Sequence, residues 1–120
     1  MSLSVYGATG YIGRTFCNMF PKKSHAIDRG QRTPMHKDIL YFISTTHNYN
    51  VFKEITLDVK SNLMVLTEVL DRVVEVKDRR FDNHEDITFN FISSWFVYGD
   101  ANDNPVSEDG LCDPRGFYSI

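Results

Sequence analysis

Glycines at positions 7, 10 and 13, in the stretch GATGYIG, lie between a short β-prone run, LSVY, and a run at helical spacing that stops at Pro21. Three closely spaced glycines remove Cβ atoms where a chain must turn sharply or let something approach its backbone. Each has its own task if the stretch cradles phosphate. Gly7 permits the tight turn, Gly10 lets the backbone approach a pyrophosphate, and Gly13 lets the helix pack closely on the strand. The helix N-terminus, from Tyr11 and Ile12 onward, then offers free N–H groups and a partial positive charge. Asp28 stands 21 residues after Gly7, where a carboxylate can accept hydrogen bonds from the hydroxyls of an adenosine ribose. Strand, glycine loop, helix and distant acid together predict a dinucleotide site. The alternative is a glycine-rich turn that binds nothing. Asp28 repels a 2′-phosphate and points to NAD, whereas Arg29 and Arg32 attract one and keep NADP as second choice.

These residues need a scaffold, and the chain supplies one by alternating strands and helices. After the first helix, HAI forms a second strand ending at Asp28, and RGQRTPMHK reads as a connection. ILYFIS, residues 39–44, is apolar at five successive positions, the pattern of a strand covered on both faces. From 58 to 78 the spacing predicts the longest helix, with Leu63, Leu66, Leu70, Val73 and Val74 on one stripe and Asp58 as N-cap. A fourth strand, ITFNFIS at 87–93, runs into SWFVYGD and a long polar loop. The fold class expected is α/β, a parallel sheet with flanking helices. If the chain is complete, ITFNFIS is a flat aromatic sheet edge with neither Lys nor Pro to guard it against pairing with another chain.

At 120 residues there is room for one domain. A net charge of −3 argues against a general nucleic-acid binder, which needs a clustered basic excess. Lys77, Arg79 and Arg80 are interrupted by Asp78 and Asp82 and read as a solvated helix end. No stretch approaches the roughly 18 apolar residues of a membrane span, and the start, MSLSVYGATG, lacks the regions of a signal peptide, so a cytoplasmic location is expected. Cys17 and Cys112 are far apart with no metal-binding spacing, and the four histidines never fall three or four residues apart. Asp100, Asn102 and Asn104 alternate as in a calcium loop, but Pro105 stands where that loop needs Gly and Leu111 where it needs Glu. No metal is expected.

Taken together, GATGYIG, ISSWFVYGD, PVSEDGLCDP and GFYSI resemble the extended short-chain dehydrogenases, the NAD-dependent nucleotide-sugar epimerase and dehydratase group. The order and spacing of the motifs resemble that family over nearly the whole chain. The resemblance implies a Rossmann-like fold of which these residues are the N-terminal, cofactor-binding portion. It implies that Ser94, in SWFVYG, hydrogen-bonds the reacting sugar hydroxyl or carbonyl, and that Tyr118 transfers the proton. It nominates Asn62 as facing the cofactor, and Phe42, Ser44 and Thr45 as the loop on the nicotinamide side. Read without the resemblance, Ser94 is a polar strand end, Asn62 an exposed helical residue and Tyr118 a terminal aromatic. In the family, hydride passes from a sugar carbon to the nicotinamide while the Tyr takes the hydroxyl proton, aided by a Lys four residues on.

The chain departs from that pattern twice. Only ten residues separate Asp28 from Ile39, where the family has a further helix and strand. The lysine expected at position 122 and the sugar-binding domain are not among the 120 residues, so these residues are expected to be a truncated, inactive portion. An unaided phenol, with a pKa near 10, is only about 0.1% ionised at pH 7. The partner expected is a nucleotide-sugar substrate in the full-length enzyme, with a homodimer admitted and neither nucleic acid nor membrane. A reading from another class is a non-catalytic nucleotide-binding or interaction module that uses the open sheet edge.

Overall fold

The computed structural model describes residues 2–45, 53–54, 56–80, 86–99 and 105–115. Four parallel strands form one sheet in the order β2-β1-β3-β4: β1 Leu3–Tyr6, β2 Ser24–Ala26, β3 Asp38–Tyr41 and β4 Thr88–Phe91. This is the expected α/β, Rossmann-like arrangement, with β1 and β3 central and helices packed on the sheet. β3 and β4 are shorter than their apolar runs: the Phe42 N–H still donates to the Tyr6 carbonyl at 3.0 Å, and from Ile43 and Ile92 onward the chain builds loops at the sheet's C-terminal edge.

The two faces of the sheet follow from the alternation of side chains along a strand. On one face Tyr6, Ile39 and Tyr41 pack with Ile27 and with Val69 and Val73 of helix α3, Val65–Arg80. Tyr41 sits between the rings of Tyr6, Phe89 and Phe91, at centroid distances of 5.9, 5.7 and 6.0 Å. On the other face lies helix α1, Tyr11–Met19, whose Phe16 meets Phe42 at 5.8 Å between ring centroids.

The long helix differs from expectation at its start and in its buried face. It opens as one turn, α2, Thr56–Asp58, continues through a π-helical segment, Val59–Met64, and becomes α3. Asp58 is therefore inside the helix, buried, and caps nothing; its carboxylate has no hydrogen-bond partner among the described residues. Val69, Val73 and Val76 are buried and Leu66 partly so, whereas Leu63, Leu70 and Val74 are exposed. The buried stripe runs 66, 69, 73, 76, rotated from the expected one so that Val69 and Val73 meet the tyrosines. The wider π turn, with hydrogen bonds five residues apart, also breaks the 3.6-residue register for Leu63. The basic helix end is solvated: Lys77 and Arg79 are exposed, and Arg79 pairs with Glu75 at 2.8 Å.

The connection between β2 and β3 passes over β1 without forming a helix, and the strand beneath holds it in place. The Ser4 hydroxyl, fully buried, accepts the N–H groups of Met35 (3.0 Å) and His36 (2.8 Å) and donates to the His36 carbonyl. Two residues along the same face, the Tyr6 hydroxyl donates to the Arg32 carbonyl at 2.6 Å. Burial raises the Tyr6 phenol pKa and pushes that of Tyr41 up to about 12. With no further strand in this connection, β2 pairs with β1 alone among the described residues. At the opposite side β4 pairs only with β3 among them, and Phe91 and Ile92 are about half exposed. No helix among the described residues is long and apolar enough to cross a membrane.

Candidate cofactor site

From β1 the chain turns outward to β2 on one side, while β3 lies on the other. The point where the order reverses falls at the C-terminal ends of β1 and β3, where open parallel sheets bind ligands. A cleft of about 500 Å³ opens there, a volume suited to a small organic ligand. It is lined by Tyr6 to Gly10 after β1, Ile27 to Arg32 after β2, Phe42 to Ser44 after β3, and Ser61 and Val65.

The glycine loop forms one wall, and its geometry accounts for its composition. Gly7 has φ +75°, and a Cβ on it would lie 2.9 Å from the carbonyl carbon of Phe42. The loop closes with the Gly10 N–H donating to the Gly7 carbonyl at 3.0 Å. A Cβ on Gly13, in the first turn of α1, would stand 2.3 Å from the same Gly7 oxygen, so only glycine lets the helix sit this close. A Cβ on Gly10 would lie 3.2 Å from it. No side chain caps the N-terminus of α1 and no acid lies in its first turn, which leaves the positive end of the dipole for an anion. These features fit a pyrophosphate. Gly7 and Gly10 line the cleft; Gly13 is buried beneath the loop, and Tyr11 and Ile12 are exposed at the helix start, outside the lining.

Opposite stand Asp28 and Arg29, both lining the cleft and both exposed. They enter a turn closed by the Gln31 N–H donating to the Asp28 carbonyl (3.0 Å), with Gly30 at φ +97°. Arg32 follows, and its Nε donates to Glu68 of α3 at 2.6 Å.

The third wall is the loop after β3. Phe42 and Ser44 line the cleft, and Thr45 is held from behind by Asn62. The Thr45 N–H donates to Asn62 Oδ1 at 2.8 Å, and Asn62 Nδ2 donates to the Thr45 hydroxyl at 3.2 Å. Asn62 lies in the π-helical segment, a feature frequent at functional sites, and aims at the loop rather than at the lining.

Ser94 is placed apart from the cleft lining. Its side chain accepts the Phe96 N–H at 3.3 Å at the start of a 3₁₀ turn, Trp95–Tyr98. The polar loop returns to that turn through the Asp113 N–H, which donates to the Val97 carbonyl at 3.0 Å. Tyr118 lies outside the described residues, as do Asp100, Asn102 and Asn104. Thr9, Gln31 and Ser61 line the cleft and were not singled out by motif. Thr9 could have been found inside the glycine loop and Ser61 beside Asn62, while Gln31 carries no sequence signal.

The same architecture occurs in solved structures. RMD from Pseudomonas aeruginosa, complexed with NADPH, superposes with a TM-score of 0.74 at 18% identity over 98% of this chain and 43% of that one. The chain has their fold. UDP-glucuronic acid 4-epimerase from Bacillus cereus, in complex with NAD, gives a TM-score of 0.72 at 22% identity over 99% of this chain and 47% of its own. MoeE5, in complex with UDP-glucose and NAD, gives 0.75 at 16% identity over 99% and 44%. The chain thus spans less than half the length of each of these proteins. No protein-family model and no curated protein matches the sequence.

Proposed function

We propose that this chain is the dinucleotide-binding part of an NAD-dependent epimerase or dehydratase acting on a nucleotide sugar. The observation that carries the reading is the cleft at the strand-order reversal, with an uncapped helix N-terminus on one wall and the exposed Asp28 carboxylate on the other. In it Gly7, Gly10 and the first N–H groups of α1, from Tyr11, Ile12 and Gly13, hold the pyrophosphate. Asp28 takes the adenosine ribose beside Arg29, and Phe42, Ser44 and Thr45, with Asn62 behind them, form the nicotinamide-side wall. The bound cofactor supplies a hydride acceptor. That the fold neighbours include proteins complexed with NAD or NADPH, two of them also with UDP-glucose or named as a UDP-sugar epimerase, supports the class of ligand.

Ser94 is assigned to hydrogen-bond the reacting sugar group, and Tyr118 to move its proton. The 120 residues by themselves are expected to turn over no nucleotide sugar, because the activating lysine and the substrate domain are not among them. The cytoplasm is the proposed location and a homodimer the admitted assembly. Fluorescence titration tests the cofactor assignment: NADH is expected to bind more tightly than NADPH, and the reverse order would overturn the choice of NAD. Turnover of a UDP-sugar by the isolated chain would overturn the assignment of inactivity.

A second reading has its own observation. Phe91, Ile92, Trp95 and Phe96 are about half exposed along and beyond β4. An interaction module that pairs this edge with a partner would show self-association or partner capture in sedimentation, and a well-behaved monomer at high concentration would count against it.

A further inference from the structure

The sequence places two arginines within four residues of Asp28, and the structure treats them differently. Arg29 is exposed in the cleft and has no ionic partner among the described residues. Arg32 also lines the cleft, but its guanidinium is engaged by Glu68, 36 residues away on α3, through an Nε–Oε2 contact of 2.6 Å. The Arg32 side chain is only a quarter exposed while that of Glu68 is half exposed, so the arginine is the more buried member of the pair. Its backbone cannot shift freely, because the buried Tyr6 hydroxyl holds the Arg32 carbonyl at 2.6 Å. What remains adjustable is the side chain, which faces a choice between Glu68 and a ligand in the cleft.

We propose that Glu68 is a positioning residue for cofactor choice: it holds Arg32 out of service, so that the cleft discriminates against the 2′-phosphate of NADP. The inference rests on the dinucleotide reading of the cleft. With the pair made, Arg32 and Glu68 cancel, and Asp28 and Arg29 oppose one another beside the ribose. The four charges then sum to zero, and a dianionic phosphate in the cleft meets a single unpaired guanidinium among the described residues, that of Arg29, offset by the adjacent Asp28 carboxylate. Removing the Glu68 charge frees a guanidinium whose backbone is already fixed at the rim, and guanidinium forms strong charge-assisted hydrogen bonds with phosphate. One such contact raises affinity roughly tenfold. The recognition element thus comes from the loop after β2, while its availability is set from α3.

The test is a fluorescence titration of NADH and NADPH into the wild-type chain, Glu68→Gln, and Glu68→Gln combined with Arg32→Gln. In Glu68→Gln the NADPH-to-NADH affinity ratio is expected to rise about tenfold, and its NADPH affinity to fall more steeply with added salt than that of the wild type. In the double variant the ratio returns to the wild-type value. Binding of both nucleotides with an unchanged ratio in Glu68→Gln overturns the proposal alone, as does a raised ratio that persists in the double variant. Absence of saturable binding of either nucleotide by any of the three proteins overturns the dinucleotide reading and this proposal with it. Thermal melts of the three proteins identify a variant that has failed to fold, and Glu68→Ala then provides the same comparison.

Discussion

Replacing Gly13 with Ala puts two opposing effects against each other at one atom. By helix propensity alone the change should stabilise α1 by about 1 kcal/mol. Against this, the new Cβ would stand 2.3 Å from the Gly7 oxygen, 2.8 Å from the Gly7 carbon and 3.0 Å from Ala8 Cα, where ordinary contact begins at 3.4 Å. All three are backbone atoms of a loop already pressed against Phe42, so no flexible side chain can yield. Relief requires α1 and the loop to separate by about 1 Å, and overpacking of that kind costs about 1–3 kcal/mol. With rigid neighbours the upper part of that range applies, leaving a net loss of about 1–2 kcal/mol after the propensity gain. For a domain of this size that lowers Tm by roughly 4–8 °C. The same displacement moves the N-terminal N–H groups of α1 by a large fraction of a hydrogen-bond length, so NADH affinity should fall about tenfold or more. Thermal melting and NADH titration of Gly13→Ala measure both. A variant that melts at or above the wild-type temperature and binds NADH unchanged would refute the packing argument and the cradle built on it.

Three further outcomes follow from the geometry. Val69→Ala should cost about 2 kcal/mol in urea unfolding, since two buried methyl groups are lost from the contact with the tyrosines. Val74→Ala, on the exposed face, should stay within about 0.5 kcal/mol, and the opposite ranking would reinstate the stripe expected from sequence. Asn62→Ala removes both bonds to Thr45 and should weaken NADH binding with a stability loss of about 1–2 kcal/mol, whereas unchanged binding would make the clasp irrelevant to the cleft. The Tyr41 phenol, held at about 12 by burial against an unfolded value of 10.0, remains protonated in the folded chain after the unfolded chain has ionised. Its contribution is therefore complete below pH 10 and lost as pH rises to about 12, a fall on the order of 2–3 kcal/mol in an alkaline unfolding series. Tyr41→Phe should remove this part of the alkaline fall, leaving the part contributed by the raised Tyr6 phenol, and leave neutral-pH stability equal or higher, because the buried hydroxyl has no partner among the described residues. An unaltered alkaline profile would contradict the assignment to Tyr41.

The glycine loop was legible because its residue types answer local steric demands: φ +75° at Gly7 and backbone contact at Gly13 admit nothing larger. The position of Asp28 on the same cleft was legible by its distance from that loop, and the strands by their apolar runs. The buried face of α3 was not, since leucines and valines crowd positions 63 to 76 so densely that two stripes fit, and only packing on Tyr6 and Tyr41 selects one. The π turn leaves no trace in VKSNLM that a helical pattern would not also leave. Ser4 reads as one polar residue in a strand, yet it anchors a loop 31 and 32 residues away. The Arg32–Glu68 pair depends likewise on two distant segments that meet only once the sheet order is set.

The central claim is that the cleft binds a dinucleotide through the glycine loop and Asp28. Titration of NADH into the wild-type chain and into Asp28→Ala tests it most directly. The account predicts saturable binding by the wild type, weakened about tenfold when the two ribose hydrogen bonds lose their acceptor. No saturable binding by the wild type, or identical binding by Asp28→Ala, would contradict it.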